Sequence, residues 1–387
     1  MSTQTQATPH DSLPASSQLA LLAAIVLFAA ITPTILMTAP AVAAQLATQW
    51  QLSPSQIGDL FSTELGAMSV ATLPALWWLK RIDWRRAALI AGVLFVAANL
   101  LSILAHDYPM LLALRFCSAL AGGSLMIICL SSAASTPNPG RVYGLWVMGQ
   151  LVVGAIGLSV LPPLFEHFGL SACYVILAGL MTLFLPLARY FPTGSPAPEK
   201  NPGRVALASK WKVALGILGL LGFYISLSGV WTFIGAISTH AGLSAGASGE
   251  ILAVATLSGI VGAGCVSLIG NRLPRPLLLV LSYGLMAGSV LLLLGQPEVL
   301  RFALAALLFK FTWTFILPLI LASLAELDRC GKLMNASNLV IGAGLAIGPG
   351  VAGRLIEASG GFQPLLVGSA CITLLSLVLV LSSRPRA

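Results

Sequence analysis

Apolar runs of about twenty residues recur along this chain from near its start to near its end, separated by short loops. A bilayer core about 30 Å thick takes a helix of that length, and within it every backbone N–H and C=O must be bonded inside the segment. Twelve such segments can be drawn: 18–44, 56–79, 87–106, 109–133, 142–164, 170–191, 212–237, 249–270, 276–295, 299–323, 335–356 and 363–382. Charged residues make up 8% of the chain against 57% hydrophobic, and the mean hydropathy is +0.94, so there is too little charge to clothe a soluble surface. The 38 glycines and 23 prolines are spread among the apolar runs rather than gathered in low-complexity tracts, so most belong to packed helices. The expected fold class is an all-α membrane protein with twelve transmembrane helices, an even number that puts both termini on one side.

The net charge of +8 comes from small basic groups between apolar runs, not from one stripe, which argues against nucleic acid as a partner. An excess of Lys and Arg in short loops marks the cytoplasm. With the termini inside, the cytoplasmic segments hold Lys80, Arg81, Arg85, Arg86, Arg141, Arg189, Lys200, Arg204, Lys210, Lys212, Arg272, Arg275, Arg329, Lys332, Arg384 and Arg386. The outer side receives Arg301 and Arg354, and Arg115 and Lys310 fall within spans. The first seventeen residues carry no Lys or Arg and the run after them exceeds twenty residues, so it reads as a first span and not a cleaved signal peptide. Five cysteines lie inside apolar runs and Cys330 in a loop, with neither a disulfide framework nor metal-ligand spacing.

The stretch Tyr190 to Lys212, with Pro192, Pro196, Pro198 and Pro202, cannot continue a helix and reads as a linker. The expected organisation is a cytoplasmic tail (1–17), a six-helix bundle (18–191), a cytoplasmic linker (192–211), a second six-helix bundle (212–382) and a short tail (383–387). Sliding the second half onto the first by 191 positions sets Leu52, Ser53, Gly58 and Asp59 on Leu243, Ser244, Gly249 and Glu250, and Arg81 on Arg272. The same shift sets Gly157, Leu164, Glu166 and Gly169 on Gly348, Leu355, Glu357 and Gly360. One offset serving both regions predicts two pseudo-symmetric bundles, an arrangement many secondary transporters use, with the solute site near the midplane between them.

Over about Gln18 to Ser382 the chain resembles the major facilitator superfamily, and within it the bacterial twelve-span drug:proton antiporter or efflux-permease branch. The family's loop motif between spans 2 and 3 is similar to Trp77-Trp78-Leu79-Lys80-Arg81-Ile82-Asp83-Trp84-Arg85-Arg86, which keeps the closing basic pair but has Arg81 at the motif's acidic place. A partial copy, Gly270-Asn271-Arg272-Leu273-Pro274-Arg275, lies in the second half. Arg115 with Gly122 and Gly123 resembles the span-4 motif, and Gly344-Leu345-Ala346-Ile347-Gly348-Pro349-Gly350-Val351-Ala352-Gly353 resembles the antiporter motif of span 5, displaced here to span 11. The resemblance implies conformational roles for Arg81, Asp83, Arg85, Arg86 and Arg272. Small residues allow close helix approach and a proline weakens the backbone ladder, so Gly344, Gly348, Pro349 and Gly353 are expected at a bending, closely packed helix.

Ionisable groups within lipid cost several kcal/mol unless they face a cavity or a partner. Glu64 lies about eight residues into span 2, Arg115 about six into span 4 and Lys310 about eleven into span 10. Glu64 is the first candidate for proton coupling, exchanging a proton as hydration alternates between the two sides; the alternatives are a fixed ion pair with Arg115 or Lys310, or a snorkelling placement. Arg115 and Asp59 are the other coupling candidates, although Asp59, like Glu250, also suits a helix-end partner near the outer boundary. Lys310 and Arg115 could bind an anionic solute, with Gln150, Tyr224, Trp231, Trp313 and Asn338 supplying walls and hydrogen bonds.

No nucleotide loop, zinc-helix motif or nucleophile elbow appears, so no enzyme activity, cofactor or metal is expected. The expected protein is a monomeric, multi-pass secondary transporter of the bacterial inner membrane. It would work by alternating access on a small organic solute, with proton-coupled efflux of a metabolite or drug as the leading reading and proton-coupled uptake of a small organic anion as the alternative.

Overall fold

The computed structural model describes residues 15–193, 210–269, 272–327 and 332–384. Most of the predicted linker and of both tails, together with Gly270, Asn271, Arg329 and Cys330, lies outside the described residues.

Within the described residues the chain is all helix and turn. The predicted first span is met by α1 (Ala15–Ile31), α2 (Thr34–Met37) and α3 (Ala39–Gln49), and the second by α4 (Pro54–Val70) and α5 (Thr72–Trp78). Then follow α6 (Trp84–Ser102), α7 (Tyr108–Ala134), α8 (Pro139–Phe168) and α9 (Ser171–Phe184), the last prolonged by a 3₁₀ turn over Leu185–Tyr190. Next come α10 (Lys210–His240), α11 (Ala245–Ile269), α12 (Arg275–Leu291), α13 (Val299–Ala325), α14 (Lys332–Ser359) and α15 (Gln363–Ser383). Among the described residues nine helices are long and apolar enough to cross a membrane; α12 and the α1 stretch Ser17–Ile31 are apolar but shorter.

The breaks in the first span have a local cause. Pro33 has no N–H to give, and the hydroxyls of Thr32, Thr34 and Thr38 donate to the carbonyls of Phe28, Ala30 and Thr34 at 3.0, 3.1 and 2.8 Å, a back-bonding that bends helices. Helix starts are set by side-chain caps. Ser53 and Gln56 form a capping box at α4, and Asp83, Asp107 and Asn138 accept backbone N–H bonds at the starts of α6, α7 and α8. The bend expected at Pro349 does not interrupt α14, which stays helical from end to end.

The 191-residue offset read from the sequence reappears in the coordinates. It carries the start of α4 onto that of α11, the start of α6 onto that of α12, and both ends of α7 onto both ends of α13. It also carries Gly169 onto Gly360, left-handed at φ 63° and 68°, where each N–H closes its helix at 2.9 Å on Phe165 and Ile356 respectively. Helices of the two repeats meet pairwise, α4 along α14, α3 on α10 and α8 on α11. At the end expected outside, Gly58 leaves no room for a Cβ against the carbonyl of Pro349, and its copy Gly249 leaves none against the carbonyl of Leu158, the copy of Pro349. Away from these seams the surface is apolar, with Leu94, Ile156, Leu183, Leu281 and Val378 exposed as a lipid-facing belt would be.

Candidate functional site

Two buried charge centres lie inside the helices, one in each repeat. The first is built around Arg115 of α7, 1% exposed, whose Nη2 donates to Asn99 Oδ1 at 3.0 Å and Ser102 Oγ at 2.9 Å, both on α6. Asn99 is held in turn, its Nδ2 donating to the Phe95 carbonyl at 2.8 Å and to Ser118 Oγ at 2.9 Å. The guanidinium lies over the ring of Tyr174 on α9, 4.4 Å from its centroid. Glu64 of α4 faces it, with Oε1 3.6 Å from Arg115 Nη1. That distance is an ion pair without a hydrogen bond, and Nε and Nη1 of Arg115 have no hydrogen-bond partner among the described residues. Glu64 therefore pairs with Arg115 and not with Lys310, and its carboxylate is the loosely held member of the pair.

The second centre is Lys310 of α13, also 1% exposed. Its Nζ lies 3.5 Å from the ring centroid of Trp231 and 4.1 Å from that of Trp313. The two indoles stand at 82° to each other, and Phe309 stacks on Trp231 at 8° between planes. Among the described residues no carboxylate lies within 4.0 Å of Lys310 and no acceptor takes a hydrogen bond from Nζ. Trp231, on α10, donates its Nε1–H to the Leu36 carbonyl of α2 at 2.8 Å, so this cage is tied across the junction of the repeats.

The other expected residues fall in different places. Asp59 is not in the interior: it pairs with Arg354 of α14 at the end expected outside, Oδ1 to Nη1 at 2.7 Å and Oδ2 to Nη2 at 3.3 Å. The cap of α4 belongs to Ser53, not Asp59. Beside that pair, Glu357 accepts from Ser53 Oγ at 2.9 Å and from the Ser55 N–H at 3.0 Å, again joining α14 to α4. Gln150 donates to the Ala29 carbonyl at 3.0 Å, Tyr224 is buried with its ring against Phe223, and Asn338 is exposed. At the opposite end Asp83 accepts from the N–H groups of Arg85 and Arg86 as the cap of α6, Arg85 Nε donates to the Phe191 carbonyl at 2.7 Å, and Arg81 stacks on Trp77. Arg272 is exposed, and its neighbour Arg275 pairs with Glu326. In α14, Gly344 and Gly348 lie close against Tyr224 and Ser228 of α10, and Gly353 against Pro54 of α4, so these glycines serve helix approach.

Sequence reading overlooked Asn99, Ser102, Tyr174 and the Arg354 and Glu357 contacts. A signal was present for the first two: polar residues three apart on one face of an otherwise apolar span need a buried partner.

Two repeats of membrane-length helices with a buried ionisable centre in each suit a membrane transporter, and comparison with known proteins gives the class. The model of the Major Facilitator Superfamily matches residues 19–329, and the chain belongs to that family. It is a secondary transporter of a small-molecule solute across a lipid bilayer, not an enzyme. An uncharacterized MFS-type transporter of Bacillus subtilis (strain 168), YfhI, is 24% identical over 356 residues, 86% of each chain. Among solved structures, a bacterial homolog of the human lysosomal transporter Spinster, inward-facing and occupied, aligns with a TM-score of 0.70 at 16% identity, over 97% of this chain and 99% of that one. The nucleoside transporter NupG aligns at 0.73 and 13% identity, over 95% and 98%. At those identities the likeness extends to the fold.

Proposed function

We propose that this protein exports a small organic solute across the bacterial inner membrane in exchange for protons, as a monomer of two six-helix bundles with twelve crossings and both termini in the cytoplasm. The bundles rock about the seams α4·α14, α3·α10 and α8·α11. The tight glycine contacts at the outer end support a state closed to the outside and open to the cytoplasm. The observation that carries proton coupling is the loose Glu64–Arg115 pair. Arg115 is anchored by Asn99, Ser102 and Tyr174 whatever Glu64 does, so Glu64 can take a proton and release it without dismantling the cluster.

A second reading, uptake of a small organic anion together with protons, is favoured by Lys310, which has no carboxylate partner among the described residues. Proteoliposomes carrying a pH-sensitive dye separate the two. Under the first reading an imposed solute gradient drives protons the opposite way, and under the second the same way. In both, Glu64→Gln abolishes the proton signal while solute exchange persists. Proton movement undiminished in Glu64→Gln sinks the coupling role of Glu64.

A further inference from the structure

On the reading that this chain is a solute transporter, we infer that Lys310, Trp231 and Trp313 recognise a small monoanion carried on a flat apolar body, an aromatic monocarboxylate or a close equivalent. The argument starts from charge. Lys310 lies about 16 Å along α13 from its start, near the middle of a membrane-length helix, and is too deeply buried for its ammonium to reach either interface. A charge in that position needs a counter-ion or strong polar partners, and the described protein offers it two indole faces and nothing anionic. The missing partner is supplied by the solute. Glu64, the buried acid of the first repeat, faces Arg115 instead.

The count of charges sets the class. One cation without an accompanying carboxylate suits one negative charge; an amino acid or other zwitterion would bring an ammonium with nothing to meet it. Arg115 does not supply a second unbalanced cation, because Glu64 faces it at 3.6 Å and meets its charge. The walls set the shape. Trp231 and Trp313 meet at 82° and Phe309 stacks on Trp231, so the groups around Nζ are π faces, which favour a planar apolar body over a sugar. The location also fits, since Trp231 reaches across to Leu36 and the solute sites of such transporters lie between the repeats.

The test uses three ligands of one shape, benzoate, benzamide and benzylamine, with acetate as the anion lacking the flat body. Binding to the purified protein is followed by tryptophan fluorescence and thermal shift, and movement by counterflow in proteoliposomes. Benzoate is expected to bind at least about tenfold more tightly than benzamide, the scale of a charge-assisted hydrogen bond, and more tightly than acetate. Lys310→Met brings the benzoate-to-benzamide ratio close to one, Lys310→Arg keeps it, and Trp313→Phe narrows the gap between benzoate and acetate. Equal binding of benzoate and benzamide to the wild type overturns the inference, as does a preference that survives in Lys310→Met, or no binding by any carboxylate. Counterflow of benzamide or benzylamine in place of benzoate ends the anion site but leaves transport standing. Benzoate binding with no flux of any ligand keeps the site and ends the transport reading.

Discussion

Helices α7 and α13 are copies of each other, equal in length and equivalent at both ends under one offset, yet each buries its cation in a different way. In α7, Arg115 is enclosed by a carboxylate, an amide, a hydroxyl and a phenol ring. In α13, Lys310 sits one helical turn further on relative to that offset and meets only indole faces. The duplicated scaffold fixed where helices start, stop and touch, and left each copy's chemistry free to diverge. The first copy carries a centre in which a carboxylate meets the cation, and the second a cation that no carboxylate meets among the described residues; the proposed function assigns proton exchange to the one and solute binding to the other.

The largest effect is expected from breaking the balanced copy. Arg115→Ala leaves Glu64 buried without its counter-charge and strips Asn99 and Ser102 of their donor, a change that costs about 3–5 kcal/mol for buried pairs. Thermal melting in detergent should fall accordingly, and Arg115→Ala/Glu64→Gln should recover part of the loss. No loss in Arg115→Ala would show that the centre is not balanced at all.

Next come the seams, where the two copies should behave alike. A methyl group added at Gly58 or Gly249 meets a backbone carbonyl that cannot move aside as a side chain would. Each of Gly58→Ala and Gly249→Ala should destabilise the outer-closed state by about 1–3 kcal/mol, the range of overpacked cores. In whole cells the change is read as faster labelling, by a membrane-impermeant maleimide, of a cysteine introduced as Ala47→Cys at a half-buried position of α3, the helix that packs on α10. If one substitution opens the outer end and the other does not, the two seams are unequal despite their matched geometry.

Lys310→Met sharpens the contrast with Arg115 through its sign. Losing the cation–π contacts removes some stabilisation, and removing an uncompensated buried charge returns a similar amount, so melting should change by less than about 1 kcal/mol. A loss as large as that of Arg115→Ala would mean that Lys310 has a structural counter-ion after all.

These differences explain which parts were legible in the sequence. Apolar length, loop charge and the repeat offset report on scaffold, and the coordinates repeat that offset at the ends of α7 and α13 and at Gly169 and Gly360. Glu64, Arg115 and Lys310 stood out because lipid makes any ionisable residue conspicuous. Their partners were less legible: Asn99 and Ser102 marked one polar face on α6 without saying which helix would meet it, and Tyr174 lies on a helix whose facing rotation no single-chain periodicity fixes. The partner of Asp59 was hidden for a related reason. The acid's depth along α4 was readable, but the cation that meets it comes from α14, 295 positions away.

That pair yields the smallest effect on folding and the finest test of the comparison. Arg354 reaches Asp59 and also donates to its own Gly350 carbonyl at 3.0 Å, while Glu357 receives Ser53 and Ser55, so charge and hydrogen bonds tie α14 to α4 at the end expected outside. In the copied seam Glu250 stands for Asp59 and Glu166 for Glu357, but Pro163 takes the place of Arg354, and neither acid has an ion pair among the described residues. The Asp59 and Arg354 side chains are 39% and 62% exposed, so the pair contributes at most about 1 kcal/mol and melting should barely move in Arg354→Gln. About 1 kcal/mol is still a factor of roughly five between outer-closed and outer-open populations, so labelling of Ala47→Cys should rise several-fold in Arg354→Gln, and high salt should imitate the mutation in the parent protein. Glu250→Gln, which touches the copy with no cation, should leave labelling unchanged. Equal responses to Arg354→Gln and Glu250→Gln would mean that the charges at the outer end act through the general field of that surface, and that the latch on one seam is not what holds it shut.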